Sequence, residues 1–446
     1  MLSRTLTPTL FVALLSLGCS RSPSNSDPAA KSTHDSGGPA AEGAKALNFN
    51  RDATAFEAAL TAIDHEIAAT AERVAKQPNS WLVRDKLASL YMRRARLSGS
   101  YADYANAQAT LDEAFEIAPE GSGPMLTRVA LNFTLHRLAP LELIEADLAA
   151  VEARPVVDDP TRAHIASVRG DVAFERGQYA EARTFYDAAL ELSPKNSTLI
   201  AKLAQWHWRA GEFDKADELY RQAEQLMLPA ALEGRAWVQL QLGIMDLERG
   251  RYDDAFEHFR DGADILGGWW LLEEHIAEIA TLKKLDAFAL ELYTEIIART
   301  GKGEFMDAKA SILLAAGDQA GATKQIELAV AVYEAQLEQF PEASYGHALG
   351  HYLDFGPAAR ALELAEANHG LRPGVPAKVS LAEARLGVGD VAGAQQIIDE
   401  ALATTWVSAD LFWVASLVYT QVGDEARAKQ LREQAVALHP TIAADY

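Results

Sequence analysis

Internal repetition constrains this chain more than any other feature. Between about residues 78 and 440 a short pattern returns roughly every 34 residues. In ASVRGDVAFERGQYAEARTFYDAALELSP, Gly170 is followed by Gly177, Tyr179, Ala182, Tyr186, Ala189 and Pro194. The next copies carry Gly211, Phe213, Ala216, Tyr220 and Ala223, then Gly243, Gly250, Tyr252, Ala255 and Phe259. A late copy carries Tyr419, Gly423, Ala428, Ala435 and Pro440. Apolar residues stand three and four apart throughout, the period of a helix, and no sustained alternation predicts a strand.

The pattern has a mechanical reading. Gly170, Gly243 and Gly350, in the first helix of a pair, let the second helix come close. Gly177, Gly211, Gly250 and Gly423 end the first helix, because glycine tolerates positive φ. Pro194, Pro373 and Pro440 stop the second. One pair cannot bury its apolar face alone, so pairs stack. About ten begin near residues 78, 122, 163, 197, 236, 270, 303, 343, 375 and 409. Residues 53–77 read as a capping helix, 78–440 as the array and 441–446 as a tail.

These residues resemble the tetratricopeptide repeat over most of 78–440. The resemblance implies an all-α, right-handed superhelical solenoid of about ten hairpins. It also implies an elongated particle, with a radius of gyration above the roughly 22 Å of a compact chain of this length. Proteins of this kind act as scaffolds that hold protein or peptide partners in a concave groove lined by the first helices. That stripe maps here onto Trp208, Arg209, Trp237, Leu240, Ile244, Leu247, Glu274, Glu278 and Asp307. The fifth pair stands out, since its first helix is apolar on the packing stripe (Val238, Leu242) and on the concave stripe. An apolar groove wall suits a docked peptide; otherwise these side chains pack against a neighbouring helix.

His347 and His351 lie four residues apart, with Asp354 three further on, so one helix face carries all three. Two imidazoles and a carboxylate suit zinc, copper or nickel. A periplasmic metal-binding or metal-delivery module is therefore the alternative to a scaffold, and no other cofactor is expected. The chain has 41 Lys and Arg against 63 Asp and Glu, a formal charge of −22. That balance argues against a nucleic-acid partner, which calls for basic patches. There is no GxSxG, P-loop or HExxH, so catalysis is not expected.

A single cysteine excludes a disulfide framework. It follows Arg4 and the apolar run Leu10–Leu17, which is shorter than the ~20 residues that span a bilayer. Gly18-Cys19 at the end of that run resembles a bacterial lipoprotein signal, although Ser16 stands where the family usually has Leu. The resemblance implies removal of residues 1–18, lipidation of Cys19 and a membrane-anchored protein of the cell envelope. Ser20 in place of Asp points to the outer membrane, facing the periplasm. Residues 19–52 hold the lipidated Cys and a linker rich in Ser, Pro and Gly, with no apolar period. Cys19→Ser should abolish labelling with radioactive palmitate and move the protein from the membrane to the soluble fraction. A wild type that never takes up the label would contradict the anchor.

Overall fold

The structure, a computed structural model, describes residues 47–138 and 141–445. The leader, Cys19 and the linker up to residue 46 lie outside the described residues. Helices α1 to α22 occupy the described residues, which contain no strand. A first helix, α1 (Thr54–Lys76), packs on α2 (Trp81–Ser98). Ten hairpins then follow in chain order. They are α2/α3 (Tyr101–Ile117), α4/α5 (Met125–Thr134, Leu141–Glu152), α6/α7 (Asp159–Glu175, Tyr179–Leu192) and α8/α9 (Ser197–Arg209, Phe213–Gln225). Next come α10/α11 (Leu232–Leu247, Tyr252–Ile265), α12/α13 (Trp270–Leu282, Asp286–Thr300) and α14/α15 (Gly303–Ala315, Gln319–Gln339). The last three are α16/α17 (Pro341–Asp354, Ala358–Leu371), α18/α19 (Val375–Gly387, Val391–Leu402) and α20/α21 (Ala409–Val422, Glu425–Leu438), with α22 (Ile442–Asp445) at the end.

The repeated residues do the work their chemistry suggests. Gly177, Gly211, Gly250 and Gly423 all have positive φ and reverse the chain between the two helices. Helix starts are capped by Asp158, Asn196, Ser408 and Asp424, whose side chains accept backbone N–H groups of the first turn. Inside the pairs, a Cβ added to Gly170 would lie 2.5 Å from the Tyr186 ring, and one on Gly243 would collide with the Phe259 ring. The aromatic ring of the second helix therefore occupies the space that the glycine leaves. Ala182, Ala216 and Ala255 are fully buried in the same seams.

The array winds until it meets itself. Trp270 Nε1 donates to Leu97 O at 2.8 Å, across 173 positions. The Val375 amide donates to the Tyr179 hydroxyl at 3.0 Å across 196 positions, and Val407 N donates to Arg209 O at 2.8 Å. Tyr252 and Thr441 share a hydroxyl contact at 3.0 Å, and Arg51 binds Glu291 and Glu295. One superhelical turn thus takes between roughly five and six hairpins of about 34 residues. Successive turns of the solenoid therefore touch instead of standing apart.

The seam between Gly243 and Phe259 gives a direct check. Gly243→Leu should destabilise the fold by about 1–3 kcal/mol, read from urea denaturation. Gly370→Ala, in α17 with nothing within 4 Å of the added carbon, should be neutral or stabilise by up to about 1 kcal/mol. Equal effects at the two positions would contradict the packing role of Gly243.

Candidate functional site

Closure of the superhelix turns the concave face into an interior. Helix α10 is buried from Ala236 through Leu247, and α12 from Trp270 through Ala280. Trp208, Trp237, Leu240, Ile244, Leu247, Glu274, Glu278 and Asp307 are all buried, and Arg209 is half-buried. The expected exposed stripe is therefore corrected. Its residues form interior walls, because the opposing turn covers the face that a shallower superhelix would leave open. Leu247, Arg209 and Glu278 line a cavity of about 290 Å³. Trp237, Leu240 and Ile244 line a second of about 170 Å³, which shares His136, Ala343 and His347 with the first. Trp208, Glu274 and Asp307 line neither.

Carboxylates dominate the larger cavity. Glu175, Glu248, Glu278, Glu304, Asp354, Glu383 and Asp410 line it, against Arg209 and Arg372. Arg209 forks onto Glu248 at 2.5 and 3.2 Å, and its guanidinium lies over the rings of Trp208 and Trp406. Arg372 bonds Asn368 and the ring of His136. Burial, with Arg372 and His347 adding to it, holds His136 well below the ordinary imidazole range, so it is neutral at pH 7. Burial pushes the Glu175 carboxyl up to about 7, with Arg372 opposing and Asp171 adding to the rise. Glu274 also reaches about 7, chiefly by burial. Glu304 goes the other way: burial opposes its charge, but Lys302 and His347 hold it below the usual carboxylate range.

The histidines do not assemble with Asp354. His351 Nδ1 lies 2.8 Å from Asp307 Oδ1, and Asp307 also accepts from the Tyr333 hydroxyl at 2.9 Å. His347 Nδ1 lies 2.9 Å from Glu304 Oε1. The four-residue spacing aims both rings at carboxylates of the preceding first helix, α14. Among the described residues no group of three His, Cys, Asp or Glu is placed to hold a metal. The metal triad of His347, His351 and Asp354 is thus corrected to two separate His–carboxylate pairs, with Asp354 in the wall of the larger cavity.

Several lining residues escaped the sequence reading. His136 sits at φ 56 just after α4. Arg372 and His439 follow the ends of second helices, and Trp406 lies in the loop before α20. None falls on the first-helix stripe, and only the meeting of successive turns brings them to it.

Residues 161–228 and 196–266, two overlapping stretches, match the tetratricopeptide repeat family. The chain thus carries tetratricopeptide repeats over residues 161–266. Among curated proteins none matches. Similar solved structures include the human IFIT1 dimer with m7Gppp-AAAA, 15% identical at a TM-score of 0.41, covering 84% of this chain and 95% of that one. A monomeric IFIT1 mutant with Gppp-AAAA is 16% identical at a TM-score of 0.39, covering 89% of this chain and 100% of that one. The human IFIT1 dimer with PPP-AAAA is 16% identical at a TM-score of 0.38, covering 84% and 95%. These neighbours hold oligonucleotides, and the exclusion of nucleic acid is withdrawn, because it rested on net charge alone. The physical fault is plain: net charge sums the whole chain and says nothing of where its cations stand, and Arg96, Arg209, Lys302 and Arg372 line the interior. At such TM-scores the likeness itself argues for no ligand of this chain.

Glu175 makes stability depend on pH with a definite sign. Its folded pKa of about 7 exceeds the unfolded value, so the folded state binds the extra proton and loses stability as pH rises from 4.5 through 7. Glu175→Gln should change little near pH 4.5 and raise stability by on the order of 2 kcal/mol at pH 8. Thermal melts across that range decide it, and a gain confined to acid pH would contradict the assignment.

Proposed function

We propose that this protein is an exported, lipid-anchored tetratricopeptide adaptor of the bacterial envelope that takes a short basic segment of a protein partner into its acidic interior. Its repeats suit it to a protein-interaction scaffold. The observation that carries the ligand class is the surplus of carboxylates around the larger cavity. Glu175 in particular is buried, with its pKa raised, and a cation beside it would recover the charge that burial suppresses. The anchor rests on Cys19 and the apolar run before it. None of the described helices is long and apolar enough to cross a membrane.

In this reading the interior, and not an open groove, sets the size of what is held. A cavity of about 290 Å³ takes a few side chains, not a folded domain. The partner would present a chain end or a loop tip carrying Lys or Arg. The outer faces of the second helices remain for solvent and for weaker contacts.

Calorimetric titration of the Cys19→Ser protein with short Lys- and Arg-bearing peptides tests the reading. Acidic peptides of equal length, and RNA ending in a triphosphate, serve as comparisons. Basic peptides should bind at least about tenfold more tightly, and Glu175→Gln with Glu383→Gln should cost about tenfold. Preference for the acidic peptides or for RNA would overturn it.

A further inference from the structure

The smaller cavity has the opposite chemistry. Arg96 lines it and makes no hydrogen bond or ion pair among the described residues. In the same wall the Lys302 ammonium makes no hydrogen bond to a side chain; it lies 5.1 Å from the Trp270 centroid and 5.7 Å from that of Tyr101, with Glu304 acting on it through space. The buried indole N–H groups of Trp237 and Trp269 and the buried amide nitrogen of Gln241 have no acceptor, and neither does Arg96 Nε. These donors all belong to residues lining one cavity of about 170 Å³. Trp206 Nε1 reaches Tyr179 O and Trp270 Nε1 reaches Leu97 O, each at 2.8 Å.

Two cations and three further donors without acceptors, walled by tryptophan and tyrosine, call for a ligand with oxygen acceptors and a flat apolar body. The nearest acid in the wall, Glu233, is already held by Arg93. Glu304, which feels Lys302, is held by His347. A planar guanidinium fits a carboxylate with two parallel N–H bonds. We propose that this cavity binds a small aromatic carboxylate, its oxygens at Arg96 and Lys302 and its ring among Trp237, Trp269 and Trp270. The site is independent of the basic-peptide reading, although the two cavities adjoin at His136 and His347.

Naphthalene-2-carboxylate and 2-naphthylmethylammonium, with the same ring and opposite charge, are the probes for calorimetry on the full chain carrying Cys19→Ser. The carboxylate should bind one to one, at least about tenfold more tightly than the amine. Arg96→Met should weaken it by about tenfold or more without lowering the melting temperature, since the change removes an unpaired cation. Lys302→Met provides a second reading if the first variant fails to fold, and Trp269→Phe should cost a few-fold by removing the N–H and part of the ring. The proposal falls if the amine binds as well, if the carboxylate fails to saturate by about 1 mM, or if both cation variants bind it like the wild type.

Discussion

The structure depends on a contact that no single repeat contains. Tyr179 opens the second helix of the third hairpin, and its hydroxyl accepts the amide of Val375, one superhelical turn away. Around this bond Phe174, Tyr179 and Trp406 pack ring against ring at 5.3–5.9 Å. Gly177 keeps the approach open, since a Cβ there would already lie 3.3 Å from Pro373 O. Nearest-neighbour stacking builds any solenoid of this class. The turn-to-turn seam adds a second set of interactions, and with it the distinction between an inside and an outside.

That distinction explains which parts of the molecule were legible in its sequence. The hairpins were, because each is fixed by local chemistry: a small residue, a turn glycine, an aromatic and a stop. The first-helix stripe was also legible as a set, and most of it faces the interior. Its exposure was not, since burial of Leu240 or Ile244 depends on residues over 100 positions distant, such as Tyr101 and Tyr104 across the smaller cavity. The partners of His347 and His351 were hidden in the same way. Their spacing is local, but the choice of Glu304 and Asp307 as acceptors follows from the neighbouring hairpin's rotation.

Charge separates along the same boundary. Exposed acids on the outer helix faces account for much of the net negative charge, and they pair with surface Arg and Lys in contacts worth little individually. Inside, burial makes each group consequential. The Lys202–Asp171 pair with the Tyr186 hydroxyl, and the Asp307 pair with His351 and Tyr333, tie adjacent hairpins together. Some buried groups lack such partners, and Arg96, Trp237, Gln241 and Trp269 among them line the smaller cavity.

The central claim is that successive turns touch each other and leave half-open cavities in place of a continuous groove. Small-angle X-ray scattering on residues 47–446 tests it most directly. Closure predicts a radius of gyration near the roughly 22 Å of a compact chain of this size. It also predicts a clear rise in that radius when Tyr179→Ala and Trp270→Ala open both seams. A wild-type profile already that of an extended rod, unchanged by the double substitution, would contradict it.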